Sequence, residues 1–147
     1  MDITANESAS MAELVRALEE RFGGHPVRRF LDFRIGDLAL DRCVMTIEFR
    51  PEFDNMGGAV HGGILAMLAD TAAACALSTS YGGAMNFATS NLNIHFLRRA
   101  SNAVTATASI IKKGRKVCVA SVEIHDSEGL QVATATCDFV LHHESSS

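Results

Sequence analysis

Between residues 43 and 50, Cys43, Met45, Ile47 and Phe49 alternate with Val44, Thr46, Glu48 and Arg50, and the alternation stops before Pro51. A period of two turns every second side chain to one face, so the segment is predicted as a strand, with a short extended piece before it over 33–38. Further upstream the period changes. Met11, Leu14, Val15, Leu18 and Phe22 follow helical spacing, Ser10 and Glu13 form a capping box, and Gly23, Gly24 and Pro26 supply a stop. This first helix is amphipathic and is expected to act as a cover.

The longest apolar run, residues 59–77, reads AVHGGILAMLADTAAACAL. Its length and its scarcity of β-branched residues after Gly63 predict a helix, and a helix apolar nearly all round should be central and buried. Beyond Tyr81-Gly82-Gly83, four stretches rich in Val, Ile, Thr and Phe follow, over 86–98, 103–112, 116–126 and 130–142. Gly114 and Ser127-Glu128-Gly129 supply tight turns, so the last three are read as consecutive antiparallel hairpins. A sheet of this size needs one face covered, and the apolar helix is the element sized to cover it. The expected class is α+β with the hot-dog architecture, an antiparallel sheet wrapped around a long central helix, with an N-terminal helix. One domain is expected over 1–147, with flexible ends at 1–9 and 143–147.

Composition narrows this picture. A chain of 147 residues, 48% hydrophobic and 20% charged, can bury one substantial core. The opening MDITANESAS is polar and acidic, unlike a secretory signal, and Asp70 interrupts the run that would otherwise suggest a membrane span, so a soluble protein is expected. Cys43, Cys75, Cys118 and Cys137 show neither a C-x-x-C pair nor metal-ligand spacing; buried reduced thiols and a cytoplasmic location follow. The net charge of −4 argues against nucleic acid, yet residues 71–122 hold no acidic residue while Arg98, Arg99, Lys112, Lys113, Arg115 and Lys116 fall among them. That half of the chain could meet an anion.

The stretch Asn55-Met56-Gly57-Gly58-Ala59-Val60-His61-Gly62-Gly63, with Asp70 following, resembles the signature of acyl-CoA thioesterases of the phenylacetic-acid-degradation type within the hot-dog superfamily. The segments 89–97 and 113–116 are also similar to segments of that family. The resemblance implies a homodimer with two sites per dimer, and leaves open whether dimers pair further into tetramers. Asn55, His61 and Gly62 would come from one chain, and Asp70 with Thr89 from the other. It places Thr89 where the family often carries a serine or threonine able to position a water; the other reading is an ordinary β-branched strand residue. Arg99 is a departure, standing where the family often has proline.

The residues support this chemistry on their own terms. A helix beginning at His61 or Gly62 directs unpaired N–H groups and a positive dipole end at whatever lies before it, and such donors could hold a thioester carbonyl as it becomes an oxyanion. Glycine at 62 and 63 lets a substrate approach the backbone, or else simply makes a tight turn. His61 either shapes that turn or touches substrate, and Asn55 either orients the water and carbonyl or serves the turn. Asp70 lies among Leu68, Ala69, Ala72 and Ala73, where a carboxylate is costly to retain without purpose. It can act as general base on water or attack the thioester through an anhydride, unless it is merely satisfied by Thr71 or a partner group. At about 1.5 Å per residue, Gly62 and Asp70 are roughly 12 Å apart along a helix, so a site using both takes the carboxylate from a second copy.

Lys112, Lys113, Arg115 and Lys116 around Gly114 suit the phosphates of coenzyme A, or else form an ordinary solvated tip. Met67, Phe87 and Phe96 are expected in the core in preference to the other reading, an acyl pocket. The reaction that the resemblance implies, and that these residues could perform, is hydrolysis of an acyl-CoA, expected to be aromatic or medium-chain, to the free acid and coenzyme A, without a metal or organic cofactor. Two alternatives are a hot-dog hydratase or dehydratase acting on an acyl thioester, and a non-catalytic acyl-CoA binder.

Overall fold

The structure, a computed structural model, describes residues 3–142, with side chains from Ser10 onward other than Phe22 and Gly23. The expected flexible ends at 1–9 and 143–147, and the place of Phe22 on the first helix, lie outside the described side chains. The helix α1 spans Ile3–Gly23 and therefore starts upstream of the Ser10 capping box. The pattern at 10–13 marks no terminus here, because the chain before it continues the helix. Pro26 does more than end α1: it opens a short helix α2, Pro26–Leu31, whose first turn needs no N–H from proline. That helix has no counterpart in the sequence-based expectation.

Six strands follow the expected segments closely: β1 Arg34–Ala39, β2 Arg42–Ile47, β3 Phe87–Phe96, β4 Val104–Lys113, β5 Val117–Asp126 and β6 Gln131–Leu141. They form one sheet in the order β1-β2-β4-β5-β6-β3, with every neighbouring pair antiparallel. The β4–β5 turn shows why glycine stands at 114. A Cβ there would lie 2.6 Å from the Val117 carbonyl oxygen, too close for any side chain.

The long helix α3, Gly62–Ser78, packs against the sheet, chiefly on β2, β4 and β5. Alternate residues of the strands meet it: Cys43, Met45 and Ile47 from β2, Val104, Ala106 and Ala108 from β4, and Cys118, Ala120, Val122 and Ile124 from β5 are all buried. Much of this inner face is alanine, as is the helix surface at Ala69, Ala72, Ala73 and Ala76. Small side chains on both surfaces let helix and sheet approach closely, and larger anchors such as Leu68 and Phe139 contribute roughly 1.5–3 kcal/mol each by burial. The segment Gly62–Tyr81 is long and apolar enough to cross a membrane by length and composition, but half of it is buried against the sheet, as a core helix would be. All four cysteines are buried and unpaired, as expected.

Two features bear on the site. Strand β3 lies at the sheet edge, paired only with β6, and most of its residues from Ala88 to Phe96 are exposed. The outer face of α3 is also incompletely covered: Met67 is 40% exposed, and Asp70, Thr71 and Ala74 are half-buried. Met67 is therefore not the core residue that its apolar neighbourhood predicts.

Candidate active site

The segment leading into α3 is fixed by its own backbone. Phe53 is buried, with the Arg50 guanidinium 4.4 Å above its ring, and its carbonyl accepts from the His61 N–H at 2.7 Å. Between these anchors the chain closes into a compact loop. Asn55 N donates to the Ala59 carbonyl, and Val60 N donates to the Ala100 carbonyl. Asn55 Oδ1 accepts from Gly57 N at 2.8 Å, and Asp54 Oδ1 from Gly58 N at 2.7 Å. The turn role foreseen for Asn55 is thus present, with its amide nitrogen left over for other work. Arg99, at the family's proline position, donates to the Gly57 carbonyl and ties this loop to the segment after β3.

His61 is the N-cap of α3, and its Nδ1 accepts from Gly63 N at 3.0 Å. Accepting at Nδ1 leaves the ring proton on Nε2, so the histidine acts first as a cap. The His61 carbonyl takes the N–H groups of Ile64 and Leu65. The Gly62 N–H is left without an acceptor among the described residues. Phe96 lies over this glycine, and a Cβ at 62 would sit 3.1 Å from its Cζ atom. Glycine is needed here for a ring already in place as well as for any substrate. Phe96 is 54% exposed, contrary to the expectation that it belongs to the core, whereas Phe87 packs edge-on to Phe139. A cavity of about 450 Å³ opens in front of Gly62, lined also by Asn55, Phe96, Arg98 and Arg99.

Asp70 lies further along α3 and outside that cavity. Thr89 Oγ1 donates to Asp70 Oδ1 at 2.7 Å, while Oδ2 takes no hydrogen bond among the described residues. The register of β3 against β6 shifts between Thr89 and Asn91, and Ser90 Oγ donates to the Asp138 carbonyl there. A bulge of this kind re-aims the adjoining side chain. Thr71 does not serve Asp70; its hydroxyl returns to the Met67 carbonyl in the preceding turn. Within one chain the predicted residues therefore fall into two groups, Asn55, His61, Gly62 and Gly63 at the start of α3 and Asp70 with Thr89 at its middle.

Set beside known proteins, residues 57–133 match the model of the thioesterase superfamily. A candidate esterase of Saccharolobus solfataricus is 31% identical over 121 residues, covering 81% of this chain and 86% of its own. The medium/long-chain acyl-CoA thioesterase YigI of Escherichia coli is 39% identical over 54 residues, 36% of this chain and 35% of its own. Among solved structures, the PaaI protein of the E. coli phenylacetic acid degradation operon superimposes with a TM-score of 0.81 over 93% of this chain and 96% of its own, at 24% identity. The chain belongs to the thioesterase superfamily. Its architecture is that of a hot-dog fold, and its enzyme class is thioester hydrolase.

In this thioesterase the basic hairpin is remote from Gly62. It joins β4 to β5 beside the far end of α3, where Lys113 Nζ pairs with Asp41 Oδ2 at 2.7 Å and donates to Ser80 Oγ at 3.1 Å. Burial works to raise the Asp41 pKa, but hydrogen bonds from Lys113 and Ser80, with the Lys113 charge, hold it below its ordinary value. The same hydrogen bond raises the Lys113 pKa. Lys113 thus carries a structural contact that its sequence context did not reveal, and like Lys112, Arg115 and Lys116 it is exposed. Sequence reasoning also missed Phe96 and Arg99 as neighbours of Gly62. The signal available was the departure from proline at 99, which replaces a rigid turn residue by a long donor.

Proposed function

We propose that the protein hydrolyses acyl-CoA thioesters to free acid and coenzyme A in sites shared between two protomers. The observation that carries this reading is the division of α3: an unpaired Gly62 N–H faces a cavity at its start, and a threonine-held carboxylate lies roughly 12 Å away by helical rise. A second protomer, with its α3 antiparallel across a two-fold axis, would bring its Asp70 and Thr89 to the Gly62 of the first. The long unpaired edge of β3 supports such pairing, since an exposed edge of this length is a template for another strand.

In this arrangement the thioester carbonyl accepts from Gly62 N–H, whose partial positive charge favours the oxyanion as it forms. Gly63 lends its small size, His61 holds the turn, and the Asn55 amide orients the carbonyl or the water. Asp70 takes a proton from a water positioned by Thr89. The water oxygen attacks the carbonyl carbon, the C–S bond breaks, and the thiolate leaves to be protonated as coenzyme A. Direct attack by Asp70 would give a mixed anhydride, which water then cleaves. Lys112, Lys113, Arg115 and Lys116 of the partner's hairpin are the proposed contacts of the nucleotide phosphates, with Lys113 also paired to Asp41.

The acyl group is read as aromatic or medium-chain. The names of the E. coli relatives, one from a phenylacetic acid operon and one a medium/long-chain acyl-CoA thioesterase, support that range. The reading takes the enzyme to be cytoplasmic and a dimer or a pair of dimers. A panel of aromatic and aliphatic acyl-CoAs with a thiol-detecting dye tests it. Thiol release from some members is expected; conversion of an enoyl substrate without thiol release would point to a hydratase instead.

A further inference from the structure

The cavity in front of Gly62 carries a charge pattern that the hydrolytic chemistry does not use. Its described lining contains two guanidinium side chains, Arg98 and Arg99, and no carboxylate. The neighbouring Asp54 spends Oδ1 on the Gly58 N–H. Each arginine is aimed by one hydrogen bond to a main-chain carbonyl: Arg98 Nη1 donates to Gln131 at 2.8 Å, and Arg99 Nη2 donates to Gly57. A guanidinium has five N–H donors in a planar fork, so one anchoring bond orients the group and leaves donors for a ligand. The two cations follow β3 directly, so the cavity is bounded by the Phe96 ring, the Gly62 N–H and a wall of positive charge.

We propose that Arg98 and Arg99 form an anion-reading wall of the substrate site, binding an oxyanion-bearing group of the thioester whose carbonyl Gly62 holds. This rests on the thioesterase reading above and extends it to residues outside the hairpin. Two sources of such a group share the required chemistry: a phosphate of coenzyme A, and a carboxylate at the far end of the acyl chain. Either would accept paired N–H bonds from a guanidinium fork. Arg99 in place of proline doubles the charge at this wall and locks the Asn55 loop against it.

The test uses R98Q/R99Q, in which each glutamine keeps an amide N–H for its carbonyl partner but loses the charge, with R98K/R99K as the charge-retaining control. Two pantetheine-based comparisons separate the sources. If phosphate is read, R98Q/R99Q lowers the kcat/KM ratio of an acyl-CoA over the matching acyl-pantetheine at least tenfold, and the lysine pair recovers most of it. If an acyl carboxylate is read, the variant lowers by a similar factor the ratio of an ω-carboxyacyl-pantetheine over its methyl ester. A folded R98Q/R99Q that leaves both ratios within twofold of wild type overturns the proposal. Calorimetric binding of coenzyme A, with pantetheine as the uncharged reference, keeps the proposal separate from the hydrolytic one. A wild type that cleaves none of these thioesters yet loses tenfold in coenzyme A affinity on R98Q/R99Q retains the anion wall and loses the hydrolase reading.

Discussion

Thr89 and Asp70 are joined by a 2.7 Å hydrogen bond that links the edge strand β3 to the middle of the central helix. The hydroxyl occupies one carboxylate oxygen, which orients the carboxylate while the second oxygen remains available to take a proton. The first prediction follows from this division. Asp70→Asn keeps the shape and removes the basic oxygen, so turnover should fall about 10²–10⁴-fold in a folded protein. Thr89→Val should cost less, about tenfold, because it releases the orientation and keeps the base, and Thr89→Ser should restore most activity. Wild-type thiol release by folded Asp70→Asn would remove the carboxylate from the mechanism.

The proposed sharing of the site between protomers makes a prediction about mixtures. Gly62→Pro deletes the proposed donor at the first helical position, where proline is otherwise tolerated, although its ring must displace Phe96. Alone, Gly62→Pro and Asp70→Asn should both be nearly inactive. Unfolded and reassembled together, they should regain activity, up to about half of wild type per mixed dimer, because one of the two sites then carries neither lesion. Mixed dimers that form and stay dead would rule out sharing.

At the hairpin, Lys112→Glu with Lys116→Glu should raise KM for an acyl-CoA more than for the matching pantetheine thioester, and added salt should narrow the wild-type difference. Equal effects on the two substrates would mean that the tip does not meet the nucleotide.

The Asp41–Lys113 pair sets a pH dependence of stability. The folded Asp41 carboxyl titrates below its ordinary 3.8, so its contribution is present above that value and is lost as pH falls through the lower folded value. Lys113 is raised above 10.5, so its contribution is present below that value and is lost as pH rises through the folded one. Asp41→Asn should therefore lower the thermal midpoint at pH 7 by roughly a few degrees and by less near pH 3, as followed by circular dichroism. A deficit of the same size at both pH values would assign the effect to something other than this charge.

Cys137 should be inert. Burial, then the charges of Asp70 and Asp138, push its thiol up to about 12, so at pH 8 only about one in 10⁴ molecules carries the reactive thiolate. With Cys43, Cys75 and Cys118 also buried, the native protein should consume almost none of a thiol reagent over minutes and the denatured protein four equivalents. Rapid native labelling at Cys137 would contradict its enclosure beneath α3.

The sequence by itself determined what depends on neighbours along the chain. Period-two alternation placed β2, and the three turns-and-strands units after residue 103 fell within a residue or so of β4, β5 and β6, because strand faces and tight turns are set by adjacent residues. The apolar run fixed α3, and helical rise alone separated Gly62 from Asp70. Tertiary structure decided what depends on distant segments. Strand β3 pairs with β6, not with its sequence neighbour β4, and the register shift at Ser90 that accompanies this pairing lets Thr89 reach Asp70. Phe96 and Met67 read as core because apolarity says nothing about which face of an edge strand or helix the fold leaves open. Arg99 beside the Asn55 loop and Lys113 on Asp41 were equally hidden, since long flexible cations take their partners from whatever backbone and carboxylates the folded sheet brings within reach.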